Sequence, residues 1–92
     1  MELRFTWRAL DDLNRLRAFI AKDNPQAARR VSEVLRRSIR RLLDQPHMGR
    51  ELEEPAGVRR WVTGAYVVHY LADHHTVTVL RIWHGREQRQ EE

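Results

Sequence analysis

Apolar and polar positions in this chain first alternate, then recur at helical spacing, then alternate again. Leu3 and Phe5 alternate with Glu2 and Arg4, which predicts a short opening strand. Thr6 is placed as a helix N-cap, with Asp11 and Asp12 near the positive end of the helix it opens. Ala9, Leu13, Leu16 and Ile20 fall at helical spacing, and Phe19 widens that stripe. The pattern stops near Lys22. Asn24 caps a second helix, and Pro25 takes its first position, where a missing N–H costs nothing. This helix is expected from about Pro25 to Asp44. Ala28, Val31, Leu35, Ile39 and Leu42 share one face; Arg30, Arg37 and Arg41 line up opposite, with Arg29, Arg36 and Arg40 in the adjacent row. Pro46 and Gly49 end it. A loop through Glu51, Glu53, Glu54 and Pro55 follows.

Alternation then returns. Strands are expected over Val58–Thr63, Tyr66–Leu71 and Thr76–Trp83, with turns at Gly64-Ala65 and Asp73-His74. Strict alternation in the last strand puts Thr76, Thr78, Leu80 and Ile82 on one face and Val77, Val79, Arg81 and Trp83 on the other. The order β-α-α-β-β-β gives an α+β fold: a helical hairpin packed on a small, twisted, mainly antiparallel four-stranded sheet. The expected organisation is a single domain over residues 1–92, with a polar tail from about 86 to 92. Both sheet faces carry apolar residues. One takes the helices, and the other is left for a partner.

Length and charge narrow the classes. Ninety-two residues allow one compact domain with a thin core. No cysteine is present, which rules out disulfides and thiolate metal sites. No apolar run approaches the roughly 20 residues of a membrane span, and the N-terminus reads as a strand rather than a signal peptide, so a cytoplasmic protein with no membrane partner is expected. The formal net charge is +4, carried almost wholly by arginine, since Lys22 is the only lysine. Arginine pairs bidentately with carboxylates and phosphates, so an acidic protein or a nucleic acid suits this chain. The arginine rows of the second helix read as a solvated face, because Glu33 interrupts them and no aromatic residue is interleaved. His74 and His75 point to opposite faces of a strand and lack further ligands, so no metal or other cofactor is expected. Trp7, Trp61 and Trp83 read as core or partner contacts.

Several motifs, in order, resemble those of the RelE/ParE superfamily of toxins from bacterial type II toxin–antitoxin systems. Thr6, Ala9, Asp12 and Leu13 match the opening "W-[ST]-x-x-A-x-x-D-L", with Phe5 where that family often has tryptophan. Asn24-Pro25-Gln26-Ala27-Ala28 resembles "N-P-x-A-A", and Pro46-His47-Met48-Gly49-Arg50 resembles "P-x-x-G-R". Arg59 with Tyr66 and Tyr70 resembles "R-x-x-x-x-x-x-Y-x-x-x-Y". Val79 to Arg86 resembles "[VI]-x-R-[VI]-x-H-G-R".

The resemblance implies two activities on one fold, and the fold does not choose between them. RelE-like members cut mRNA in the ribosomal A site. ParE-like members poison DNA gyrase without known catalysis. Both bind a cognate antitoxin, here expected to be acidic and of the ribbon-helix-helix type. Metal-free RNA cleavage needs a group to activate the 2′-hydroxyl, a cation for the phosphorane, and an acid for the leaving oxygen. The residues available are Arg60, Arg81, His84 and Arg86, with Glu87 as a candidate base. RelE-like members carry an arginine where this chain has Val67, and no tyrosine follows Tyr70. That departure favours the ParE-like reading. Arg59, Arg60, Arg81, Trp83, His84 and Arg86 would then meet gyrase or its DNA complex. The alternatives are a ribosome-dependent endoribonuclease and a non-toxic co-repressor that only binds the antitoxin.

Overall fold

The computed structural model describes residues 1–87. Of the expected polar tail, residues 88–92 lie outside the described residues, and Arg86 and Glu87 form a turn with an ordered role. The elements are β1 (Glu2–Phe5), α1 (Trp7–Ala21), α2 (Pro25–Ile39), α3 (Arg41–Asp44), β2 (Arg50–Glu51), β3 (Arg59–Thr63), β4 (Tyr66–Ala72) and β5 (Thr76–His84). The sheet has five strands in the order β1-β5-β4-β3-β2, one more than the expected four. The extra strand, β2, pairs Arg50 with Arg60 and Glu51 with Arg59. Two charged residues carry no alternation, so their pairing leaves no periodic signal. Among the described residues only β1 and β5 run parallel; the other pairs are antiparallel.

Local chemistry sets the helix starts. The Thr6 hydroxyl accepts from Ala9 N–H at 3.1 Å, and the Asn24 side chain accepts from Ala27 N–H at 3.0 Å. The second helix is interrupted at Arg40, and Leu43 N–H reaches back to Arg40 O in a tighter turn. Leu42 nonetheless stays fully buried, so the apolar stripe from Ala28 to Leu42 continues across the break.

The two helices cover one face of the sheet. Leu13, Leu16, Val31, Leu35 and Ile39 meet Trp61, Val68, Tyr70, Val77, Val79 and Ile82 in a single core. Burying each large aliphatic side chain contributes about 1.5–3 kcal/mol. Trp61 is in this core, whereas Trp7 is 81% exposed and belongs to the surface.

Strict alternation fails in β5. Val77 and Val79 face the helices, but so does Ile82, against expectation. The register explains it: His69 pairs with Arg81 while Tyr70 pairs with Val79, so Leu80 is an extra residue in a β-bulge. One inserted residue inverts every side chain beyond it. The bulge therefore turns Ile82 and His84 towards the helices and Arg81 and Trp83 away from them.

The Pro46-to-Arg50 motif has a structural task. Tyr70 is fully buried, and its hydroxyl donates to Pro46 O at 2.7 Å and accepts from Gly49 N–H at 2.9 Å. A Cβ at Gly49 would sit 2.8 Å from the Tyr70 ring, so only glycine fits. Burial pushes the Tyr70 phenol up, against the Gly49 N–H and the Arg59 charge.

Candidate functional site

The site is built where β5 outruns its neighbour. β1 pairs with β5 only from Thr76 to Val79. Beyond that point no strand lies beside the outer edge of β5 among the described residues, and side chains of Thr6, the first helix and the closing turn take over, with Glu87 N–H donating to His84 O at 2.9 Å. The Thr6 hydroxyl donates to Leu80 O at 3.0 Å. Asp12 Oδ2 accepts from Ile82 N–H at 2.8 Å, and Arg15 Nη2 donates to Ile82 O at 2.9 Å. Glu87 Oε1 accepts from His84 N–H at 2.9 Å. These four edge groups, which a missing strand would leave orphaned, are thereby satisfied.

These side chains also bind one another. Arg81 donates to both Asp12 oxygens, at 2.9 and 3.2 Å, and Arg15 pairs with Asp12 from the other side. Arg15 also grips Glu87 in a two-pronged pair at 2.7 and 3.0 Å. The chain Arg81–Asp12–Arg15–Glu87 thus ties β5, α1 and the closing turn together. Asp12 is 2% exposed. Burial alone would raise its pKa, but Arg81, Ile82 N–H and Arg15 outweigh it and hold the carboxyl below the usual range. Glu87 follows the same pattern: burial raises it, while Arg15 and His84 N–H bring it down. Arg15 is held further up, first by Glu87 and also by Asp12.

His84 is buried, with its ring edge-on to Tyr66 at 5.1 Å and tilted against Phe19 at 5.3 Å. Its Nδ1 accepts from Arg86 N–H at 3.0 Å, which assigns the neutral ring's proton to Nε2. Arg86 is exposed, 3.7 Å from Asp23, with its guanidinium over the Phe19 ring.

The sequence-predicted residues fall into three groups. Arg81, His84, Arg86 and Glu87 come together at the end of β5. Arg60 lies on the sheet face away from the helices, across from His69, and Arg81 and Trp83 share that face. There Trp83 is buried, its ring against His69 at 4.7 Å and under the Arg81 guanidinium at 4.9 Å. Arg59 lies apart, donating to Gly49 O at 2.7 Å, and so supports the Tyr70 clamp. Val67 is buried on the open face, paired with Trp83. Sequence reasoning does not reach Arg15, and it reaches Asp12 only as a residue of the opening motif and a partner for the helix dipole, not as the carboxylate that closes β5. Among the described residues no group of three His, Cys, Asp or Glu side chains converges as a metal site, and no helix is long and apolar enough to cross a membrane.

A helical hairpin over this mixed sheet, with β5 closed by α1 side chains, defines a toxin of the RelE/ParE superfamily. The chain belongs to the family described as "ParE toxin of type II toxin-antitoxin system, parDE", whose model matches residues 3–89. Among curated proteins it is 36% identical to Toxin RelE1 of Caulobacter vibrioides, over 89% of this chain and 90% of that one. It is 34% identical to Toxin RelE2 of the same organism, over 88% and 91%. Among solved structures it is similar to the chromosomal ParDE system of P. aeruginosa, with TM-score 0.75, 21% identity and coverage of 91% and 95%. It is also similar to the RelBE2 toxin–antitoxin complex of Mycobacterium tuberculosis, with TM-score 0.65, 29% identity and coverage of 90% and 95%.

Proposed function

We propose that this toxin acts by binding DNA gyrase, with no catalytic step, and that a cognate antitoxin neutralises it. One observation carries the reading: the polar groups at the end of β5 are already committed to holding the fold. The Glu87 carboxylate is bound by Arg15 and His84 N–H, and Nδ1 of His84 accepts from Arg86 N–H. Neither stands ready as a base. Val67, where a ribonuclease would carry a cation, is a buried aliphatic residue. What the edge presents is basic: Arg86 is exposed, Arg60 is half-buried on the open sheet face, and Arg81, held by Asp12, covers the buried Trp83 and adds its charge beside His84.

A second reading is favoured by the names of the two Caulobacter relatives, both called RelE toxins. In it, Arg60, Arg81, His84 and Arg86 would cleave ribosome-bound mRNA. Purified toxin separates the two when added to a gyrase supercoiling assay and, in parallel, to a translation reaction. The proposal expects lost supercoiling and intact mRNA. Cleavage at ribosome-bound codons with unaffected gyrase would overturn it. A chain that arrests neither growth nor gyrase would be a co-repressor only.

For the antitoxin, an apolar groove lies beside this edge. Ile20, Ala27, Val31, Val34 and Tyr66 line it together with Arg30, Arg37 and Glu33, the last paired with Arg37 at 3.5 Å, so that among the described residues Arg30 is the cation without a carboxylate there. Val34 is 48% exposed there. An amphipathic acidic helix fits such a groove, apolar face inward and carboxylates towards the arginines. Tyr66 also packs on His84, so that helix would lie against the recognition edge. Val34→Asp should weaken antitoxin capture at least tenfold in a pull-down with the adjacent gene product. Unchanged capture would remove the groove from this role.

A further inference from the structure

The helical hairpin carries a second groove, of a different character. It is open, about 660 Å³ in volume, and lies between α1 and α2. Arg17 reaches it from α1, and Arg29, Arg36, Arg37 and Arg40 reach it from the second helix. Only Ser32 and Glu33 complete the lining. In the sequence these arginines looked like an ordinary solvated face. The fold adds Arg17 from another helix and gathers all five around one concavity.

The charges there are poorly compensated. Arg37 pairs with Glu33 at 3.5 Å, and the Arg36 guanidinium lies 4.9 Å from the Phe5 ring centre. Arg17, Arg29 and Arg40 are exposed and make no ion pair among the described residues. Like charges crowded around a concavity repel one another, and an anion seated between them relieves that repulsion. The lining also limits the kind of anion. It holds no aliphatic or aromatic side chain, so it gives an amphipathic peptide only arginine stems to bury against. The neighbouring groove gives it Val31, Val34 and Tyr66. A single strand would need aromatic platforms for its bases, and none is present. Arg29 and Arg36 are two helical turns apart, about 10 Å, and Arg40 adds about 6 Å. Each strand of a duplex presents a phosphate charge about every 3.4 Å along the axis, a spacing finer than the separations of these arginines, so a regular backbone offers several of them an anion at once.

We propose that this arginine groove binds the phosphate backbone of double-stranded DNA, independently of sequence. The choice of DNA as the source of phosphate rests on the gyrase reading, because gyrase works on a held duplex. The groove would then grip DNA while the end of β5 meets the enzyme.

The test is fluorescence anisotropy of the purified chain with a short mixed-sequence DNA duplex across a salt series. Arg17→Gln, Arg29→Gln and Arg40→Gln together should weaken binding about tenfold or more, and should lower the log–log salt slope by about 2 to 3. A charge-matched control, Arg4→Gln, Arg8→Gln and Lys22→Gln, should shift affinity less than about threefold, because it removes the same net charge away from the groove. All six positions are exposed, and circular dichroism should read the same for both variants. Equal weakening by the two triples would overturn the proposal, as would an acidic peptide that outcompetes the duplex. Groove-dependent binding that is much tighter to duplex RNA would overturn the choice of DNA. Supercoiling inhibition is scored separately. If the native chain inhibits gyrase and the groove triple inhibits it equally, the groove proposal fails and the gyrase reading stands. If the native chain spares gyrase, the gyrase reading fails and the duplex titration alone decides the groove.

Discussion

The two halves of β5 solve one problem in different ways. From Thr76 to Val79 the outer edge is closed by backbone, through parallel pairing with β1. From Leu80 to His84 it is closed by side chains: Thr6, Asp12, Arg15 and Glu87. A backbone ladder accepts almost any sequence, because each residue brings its own donor and acceptor. A side-chain closure depends on particular residues at particular places. The second half is therefore more specific and more fragile, and it is the half that holds Arg81 and His84, with Arg86 in the turn that follows.

The largest expected effect tests that fragility. Asp12→Ala removes the shared partner of Arg81, Arg15 and Ile82 N–H, and leaves the buried Ile82 amide unsatisfied. It should cost about 2–3 kcal/mol, read as a shift in the urea midpoint. A loss under about 1 kcal/mol would mean the carboxylate closes nothing of consequence. In the backbone-closed half, Val79→Ala should cost about 2 kcal/mol, from lost burial and a small cavity. It should leave the Ile82 amide protected from hydrogen exchange, whereas Asp12→Ala exposes it. Thr6→Val removes both the helix cap and the bond to Leu80 O, for about 1 kcal/mol. The smallest effect is expected for Glu87→Gln, under about 1 kcal/mol, because Arg15 is partly solvated. It should show mainly as faster exchange at the His84 amide.

Acid should probe the side-chain closure as well. Asp12 and Glu87 have folded pKa values below their ordinary 3.8 and 4.5. Their contribution is therefore complete above those values and is lost as pH falls through the lower, folded ones. The native chain should lose more stability than Asp12→Asn over that interval, so the gap between them narrows. Parallel curves would place the closure elsewhere.

The same contrast shows what was legible in the sequence. Thr6 and Asn24 were read as caps because a cap lies within three residues of the N–H it satisfies. The buried stripe of α2 was read because a helix repeats regularly. The family motifs marked Gly49 and Tyr70, though only the fold shows that they form one clamp. The end of β5 is not legible, because distance along the chain is large there or the repeat breaks. Alternation cannot announce a bulge, so it groups Ile82 with Thr76, Thr78 and Leu80 rather than with Val77 and Val79. Glu87 reads as a candidate base because Arg15, which binds it, lies 72 positions away. The extra strand β2 leaves no signal because two residues have no period.

The sequence by itself determined the order of the elements, their caps, the apolar face of each helix and the toxin superfamily. Each of these depends on residues that are close along the chain or on a repeated spacing. Tertiary structure decided which side chains close β5, which way its last residues point, and which arginines share a groove. Asp12 meets Ile82 across 70 positions, and Arg17 joins Arg29, Arg36 and Arg40 only once two helices lie side by side. Such meetings come from packing in three dimensions, which no local pattern encodes.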